Sequence, residues 1–102
     1  MVTVNVLLSG RLKLDGFGRG RPVERDGTFP LALSEGSTVR ETIDGLRIPA
    51  AQVALTILNG QGCAVDARLS GGDRVILVPE DVAALWRAFG RQNLGLGIGR
   101  DD

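Results

Sequence analysis

Val2, Val4, Val6 and Leu8 alternate with Thr3, Asn5 and Leu7. Period two with β-branched residues predicts a strand over these positions. Residues 9–27 then carry five glycines, one proline and many charges, and predict a wide hairpin loop with a ragged strand extension through Leu12 and Leu14. Phe29-Pro30-Leu31-Ala32-Leu33 predicts a second short strand, and Pro30 points to a sheet edge or a strand start. After the turn Ser34-Glu35-Gly36-Ser37, the run Val39, Ile43, Leu46 repeats at i, i+4, i+7, one face of a helix. Ser37 or Thr38 can cap it, with Glu41 three residues past Thr38 as in a capping box. Gly45 weakens this helix and Pro49 bars its continuation beyond Ile48, so it is short, from Thr38 to Leu46. Val53 to Leu58 predicts another strand, and Asn59-Gly60 is a strong hairpin-turn dipeptide after which Cys63 to Asp66 can pair back weakly. Leu69-Ser70-Gly71-Gly72-Asp73 predicts a tight turn, Arg74 to Val78 the last strand, and Pro79 its end.

The order β-β-α-β-β, with room for one minor strand, is the outline of a β-grasp domain, although ferredoxin-like α+β variants remain open on this pattern alone. With 102 residues and 43% apolar content, the chain fits one folded domain. Twelve basic and twelve acidic residues cancel, which argues against a nucleic-acid binder or a polybasic membrane protein. The absence of His removes Ser-His-Asp and Cys-His dyads and most zinc or iron sites. One cysteine, Cys63, cannot form an internal disulfide, and a reducing cytoplasm is the expected compartment. No basic n-region or membrane-length apolar run is present. Catalytic residues, a metal site and a bound cofactor are not expected.

Two stretches resemble the MoaD/ThiS family of ubiquitin-like sulfur carriers. The first, Ser37-Thr38-Val39-Arg40-Glu41-Thr42-Ile43, is similar to the family's helix start. The second combines Ile57-Leu58-Asn59-Gly60, Val65-Asp66-Ala67-Arg68-Leu69 and Gly72-Asp73-Arg74-Val75-Ile76-Leu77-Val78-Pro79, and is similar to the family's Asn-Gly, Asp-x-x-Leu and Gly-Asp signature. The resemblance covers about residues 1–84. It implies an α+β, ubiquitin-like β-grasp fold, a mixed sheet packed on one short helix. It also implies a tail ending in Gly-Gly, whose carboxylate a partner enzyme adenylates and converts to a thiocarboxylate for transfer to molybdopterin, thiazole or a similar product. The usual Gly-Gly is missing here. Ala83-Ala84 stand shortly after Pro79, the one Gly-Gly is Gly71-Gly72 before the last strand, and the chain runs on to Asp102.

The expected organisation is a β-grasp domain over 1–79 and an extension over 80–102, made of a helix at about 80–89 and a glycine-rich tail over 90–102. Pro79 and the acids Glu80-Asp81 suit a helix start, and Gly90 suits its end. Val82, Leu85, Trp86 and Phe89 fall at i, i+3, i+4 and i+7. Ten residues are too few for a stable isolated helix, and burial of each large side chain contributes roughly 1.5–3 kcal/mol, so this stripe should dock, either on its own sheet or in a partner's groove. Beyond it Leu94, Leu96 and Ile98 alternate with glycine, a ribbon suited to a sheet edge or a slim channel. Trimming to Gly97 or Gly99 would create a glycine carboxyl end.

Weaker signals are Gly16-Phe17-Gly18-Arg19-Gly20-Arg21, read as a loop with some capacity for anion or partner contact, and Cys63, read as structural. The leading expectation is a non-catalytic partner-binding subunit or accessory protein of a molybdopterin or tungsten-cofactor system, with Val82, Leu85, Trp86, Phe89, Leu94, Leu96 and Ile98 as contacts. Its partner would be an adenylating enzyme, a molybdopterin-synthase-like protein or a cofactor-containing enzyme. The alternative is a sulfur carrier whose C-terminus is trimmed to a glycine, then adenylated and thiocarboxylated.

Overall fold

The computed structural model describes residues 1–17 and 20–89. Its elements are β1 (Val2–Leu8), α1 (Arg11–Leu14), β2 (Phe29–Leu33), α2 (Val39–Gly45), a 3-10 turn (Ala50–Gln52), β3 (Leu55–Leu58), β4 (Gln61–Cys63), β5 (Arg74–Val78) and α3 (Glu80–Phe89). The strands form one sheet in the order β2-β1-β5-β3-β4. β1 pairs parallel with β5, and every other pair is antiparallel. This is a mixed-sheet α+β domain of the ubiquitin-like β-grasp kind. Pro30, which cannot donate to a ladder, lies on β2 at the sheet edge.

The alternation in the strands sorts the sheet into two faces. On the inner face, Val4, Val6 and Leu8 of β1, Phe29 and Leu31 of β2, and Val75 and Leu77 of β5 are buried with Val39 and Ile43 of α2 and with Leu46 just past its end. Leu69 completes that core just before the turn into β5. α2 is held at its start from two directions. Glu41 Oε1 accepts the Thr38 backbone N–H at 2.9 Å. The carbonyls of Ala67 and Val65 accept the first-turn amides of Val39 and Arg40 at 3.0 and 2.8 Å, satisfying donors that a helix leaves unpaired.

Three local expectations are corrected. The extension through Leu12 and Leu14 is helical, as α1, rather than a strand. Gly10, at φ 54°, turns the chain out of β1, so that Leu12 drops into the inner core at 1% exposure while Leu14 faces outward. The third strand starts at Leu55, not Val53, because the chain after Pro49 first winds through a 3-10 turn closed by Val53 N–H to the Ala50 carbonyl at 3.1 Å. The return strand after Asn59-Gly60 is Gln61–Cys63 rather than Cys63 to Asp66. The two-residue turn, with φ of 51° and 88°, places Gln61 opposite Leu58 at once. Val65 is then free to serve as a cap for α2.

Candidate functional site

The outer face of the sheet and the helix that follows it form the candidate site. Leu55 and Ile57 of β3 and Ile76 and Val78 of β5 point to this side, away from α2. Pro79 follows β5 directly, and α3 folds back so that Ala83 is packed against Ile57 and Val78, with Val82 beside them. Ala83 is 2% exposed. The seat depends on a close approach of the chain at Gly10. A methyl group there would stand 2.5 Å from Val82 Cγ2 and 3.1 Å from Pro79 Cγ, inside contact distance, so a bare α-carbon is needed. Leu85 lies on the other side of the helix and is 52% exposed. Glu80 and Asp81 occupy the first turn, where acids oppose the positive end of the helix dipole.

Among the residues singled out from sequence, Val82 and Leu85 are therefore separated, one half-buried at the seat of the helix and one facing out. The side chains of Trp86 and Phe89, and residues Leu94, Leu96, Gly97, Ile98 and Gly99, lie outside the described residues. Sequence periodicity missed Ala83 and Gly10. The available signal was small size at points of close approach, which a search for large apolar side chains passes over.

At the far side of the same face, the loop before β2 laps over the sheet. The Thr28 hydroxyl and backbone N–H both donate to Asp26 Oδ1, at 2.6 and 3.0 Å, and Arg74 of β5 stands 3.8 Å from Asp26 Oδ2. The Thr28 hydroxyl first, then its amide and the Arg74 charge, hold the Asp26 carboxyl below its ordinary value of 3.8. On the same face, Thr3 of β1 and Pro30 and Ala32 of the edge strand β2 are exposed.

The conspicuous Asn-Gly and Gly-Asp turns are structural. Asn59 Nδ2 donates to Asp73 Oδ1 at 3.0 Å, Ser70 N–H donates to Asp73 Oδ2 at 2.7 Å, and Arg74 N–H donates to Asn59 Oδ1 at 2.9 Å. Two turns far apart in sequence are thereby locked to each other at one end of β3 and β5. Cys63 is half-buried against the inner core, and the Thr56 hydroxyl donates to its carbonyl at 2.7 Å. Among the described residues, no group of three or more His, Cys, Asp or Glu side chains is placed to hold a metal ion. No helix among them is long and apolar enough to cross a membrane.

This geometry is that of a ubiquitin-like domain with a helix added after its last strand. A family model described as Mut7-C ubiquitin matches residues 1–84. The chain belongs to the Mut7-C ubiquitin family. The family match ends inside α3, one residue past the seated Ala83. Among solved structures, the putative molybdopterin converting factor subunit 1 from Pyrococcus furiosus is similar, with a TM-score of 0.58 and 20% identity, over 78% of this chain and 98% of that one. The small archaeal modifier protein 1 of H. volcanii is similar with a TM-score of 0.58 and 16% identity, over 78% of this chain and 98% of its own. At these identities the likeness establishes the fold alone, the β-grasp fold that the turn motifs imply. A comparison with curated proteins finds no match.

Proposed function

We propose that this Mut7-C ubiquitin domain is a non-catalytic partner-binding subunit or accessory protein, working in the cytoplasm on a larger enzyme of a molybdopterin or related cofactor system. The observation that carries this reading is the division of labour in α3. Ala83 anchors the helix to the outer face of the sheet, while Leu85 projects from it at 52% exposure. A helix rooted on a rigid sheet presents an apolar side chain at little entropic cost, which is what a helix-in-groove contact requires. Trp86 and Phe89 continue the apolar spacing that begins at Val82, and aromatic side chains are favoured anchors in such grooves. The cofactor system is suggested by the Pyrococcus neighbour, a putative molybdopterin converting factor subunit.

The test is affinity capture from the native cells with three baits: the full chain, a Leu85→Ser variant and a chain ending after Pro79. The captured complex is assayed for pterin by the fluorescence of its oxidised form. Pterin-containing enzyme should come down with the full chain and be lost with both variants. Undiminished capture by the Leu85→Ser and shortened chains would remove the proposal. The second reading, a sulfur carrier trimmed to Gly97 or Gly99, is favoured by the sulfur-carrier-type fold. The intact mass of the native protein decides between them. Retention through Asp102 supports the binding role, and a glycine-ended chain with sulfur in place of oxygen supports the carrier.

A further inference from the structure

Between the end of β1 and the start of β2, the loop borders an open-sided cavity of about 300 Å³, built from residues other than those of the Leu85 surface. It is lined by Leu8, Lys13, Arg21, Val23 and Phe29 together with glycines of the loop. Leu8 and Phe29 are core residues whose edges form its floor. Val23 forms an apolar wall and is 63% exposed.

The charged side chains among the described lining residues, Lys13 and Arg21, are both positive. The ion pairs within the described residues join Arg11 to Asp15 and Arg74 to Asp26, so neither Lys13 nor Arg21 is neutralised by a described carboxylate. The Arg21 guanidinium carbon stands 5.6 Å from the Phe29 ring centroid. That cation–π contact holds its planar fork beside the apolar floor. Gly16, Gly20 and Gly27 have φ of 83°, 86° and 89°. These left-handed positions favour glycine and leave bare backbone along the rim. A cavity at the small end of the range for ligand sites, with an apolar floor and an unneutralised pair of cations, suits a small molecule with an apolar body and a doubly charged anionic group.

We propose that this cavity binds a small organic phosphate monoester, with its aromatic or branched apolar body over Phe29, Leu8 and Val23 and its phosphate between Lys13 and Arg21. A phosphate monoester carries about −1.5 to −2 charge at neutral pH, which matches two cations better than a single carboxylate does. Its oxygens accept the two parallel N–H bonds that a guanidinium offers.

The probe is phenyl phosphate, titrated into the full-length chain and followed by backbone amide chemical shifts, with inorganic phosphate and phenol titrated separately. Phenyl phosphate should saturate, moving amides of the segment from Lys13 to Phe29, and should bind at least about tenfold more tightly than either fragment. Arg21→Gln and Lys13→Gln should each weaken it about tenfold, the scale of one charge-assisted hydrogen bond. Val23→Asp, which places a carboxylate in the exposed wall, should abolish it with the remaining spectrum unchanged. Equal binding by inorganic phosphate would mean an adventitious ion only. Equal binding by phenol, no saturation, or indifference to Arg21→Gln would each overturn the site.

Discussion

The two faces of this sheet are built from alternate residues of the same strands, and they are finished differently. On the inner side, β1, β2 and β5 contribute an unbroken set of buried aliphatic and aromatic residues, which α2 and Leu69 seal. On the outer side, the apolar positions of β3 and β5 are covered where Ala83 of α3 sits, Asp26 reaches Arg74 from the loop, and Thr3, Pro30 and Ala32 of β1 and β2 are left exposed. The inner face is a core whose packing leaves no choice. The outer face is a surface on which a helix has been laid by one small residue, and that helix keeps an apolar side chain turned outward. The proposed binding role therefore falls where the fold's own needs are met by few contacts.

The contrast can be broken most strongly from the inside. Leu77 is fully buried between β1 and β3 on the inner face, and Leu77→Ala should cost about 2–5 kcal/mol in urea unfolding. A loss below that range would mean the inner face is not a close-packed core. On the outer side, Ala83→Leu forces extra methylene volume against Ile57 and Val78 and should cost about 1–3 kcal/mol. The same variant should speed amide exchange in residues 80–85 while leaving α2 protected. Uniform acceleration would mean the two faces are not energetically separable. Leu85→Ser should shift stability by no more than about 0.5 kcal/mol, as for other exposed sites, yet it should remove partner capture. A clear stability loss would place Leu85 in the fold rather than at an interface.

The smallest effect concerns the ion pair at the far side of the outer face. Asp26 is held below its ordinary value by Thr28 and Arg74, so its ionised form favours the folded state. That contribution is present above pH 3.8 and is lost as the pH falls through the lower folded value. The stability difference between the native chain and Asp26→Asn should therefore be constant at neutral pH and disappear in acid. A difference that grew in acid would reverse the assignment.

The local elements were legible because each is specified by neighbours in sequence. Alternating β-branched residues gave β1, the Thr38 and Glu41 pair gave the start of α2, and Pro79 with two acids gave the start of α3. Asn59-Gly60 gave the hairpin between β3 and β4, because two consecutive left-handed residues leave the backbone little alternative. The candidate site was legible only in part. Spacing grouped Val82 with Leu85 as one apolar stripe, yet Ala83 makes the seat and Leu85 faces out. Periodicity records which residues share a helix face, and it does not record how the helix is rotated onto a neighbour.

By itself, then, the sequence determined the kinds of element, their order and the turns between them, all governed by short-range sterics, hydrogen bonding and the apolar period. Tertiary structure alone decided that β1 lies parallel to β5, that Leu12 enters the core on a helical turn, and that Gly10 meets α3. It also brought Lys13 and Arg21 to one cavity. These are contacts between segments distant in the chain, and their energies depend on shapes that no local pattern encodes.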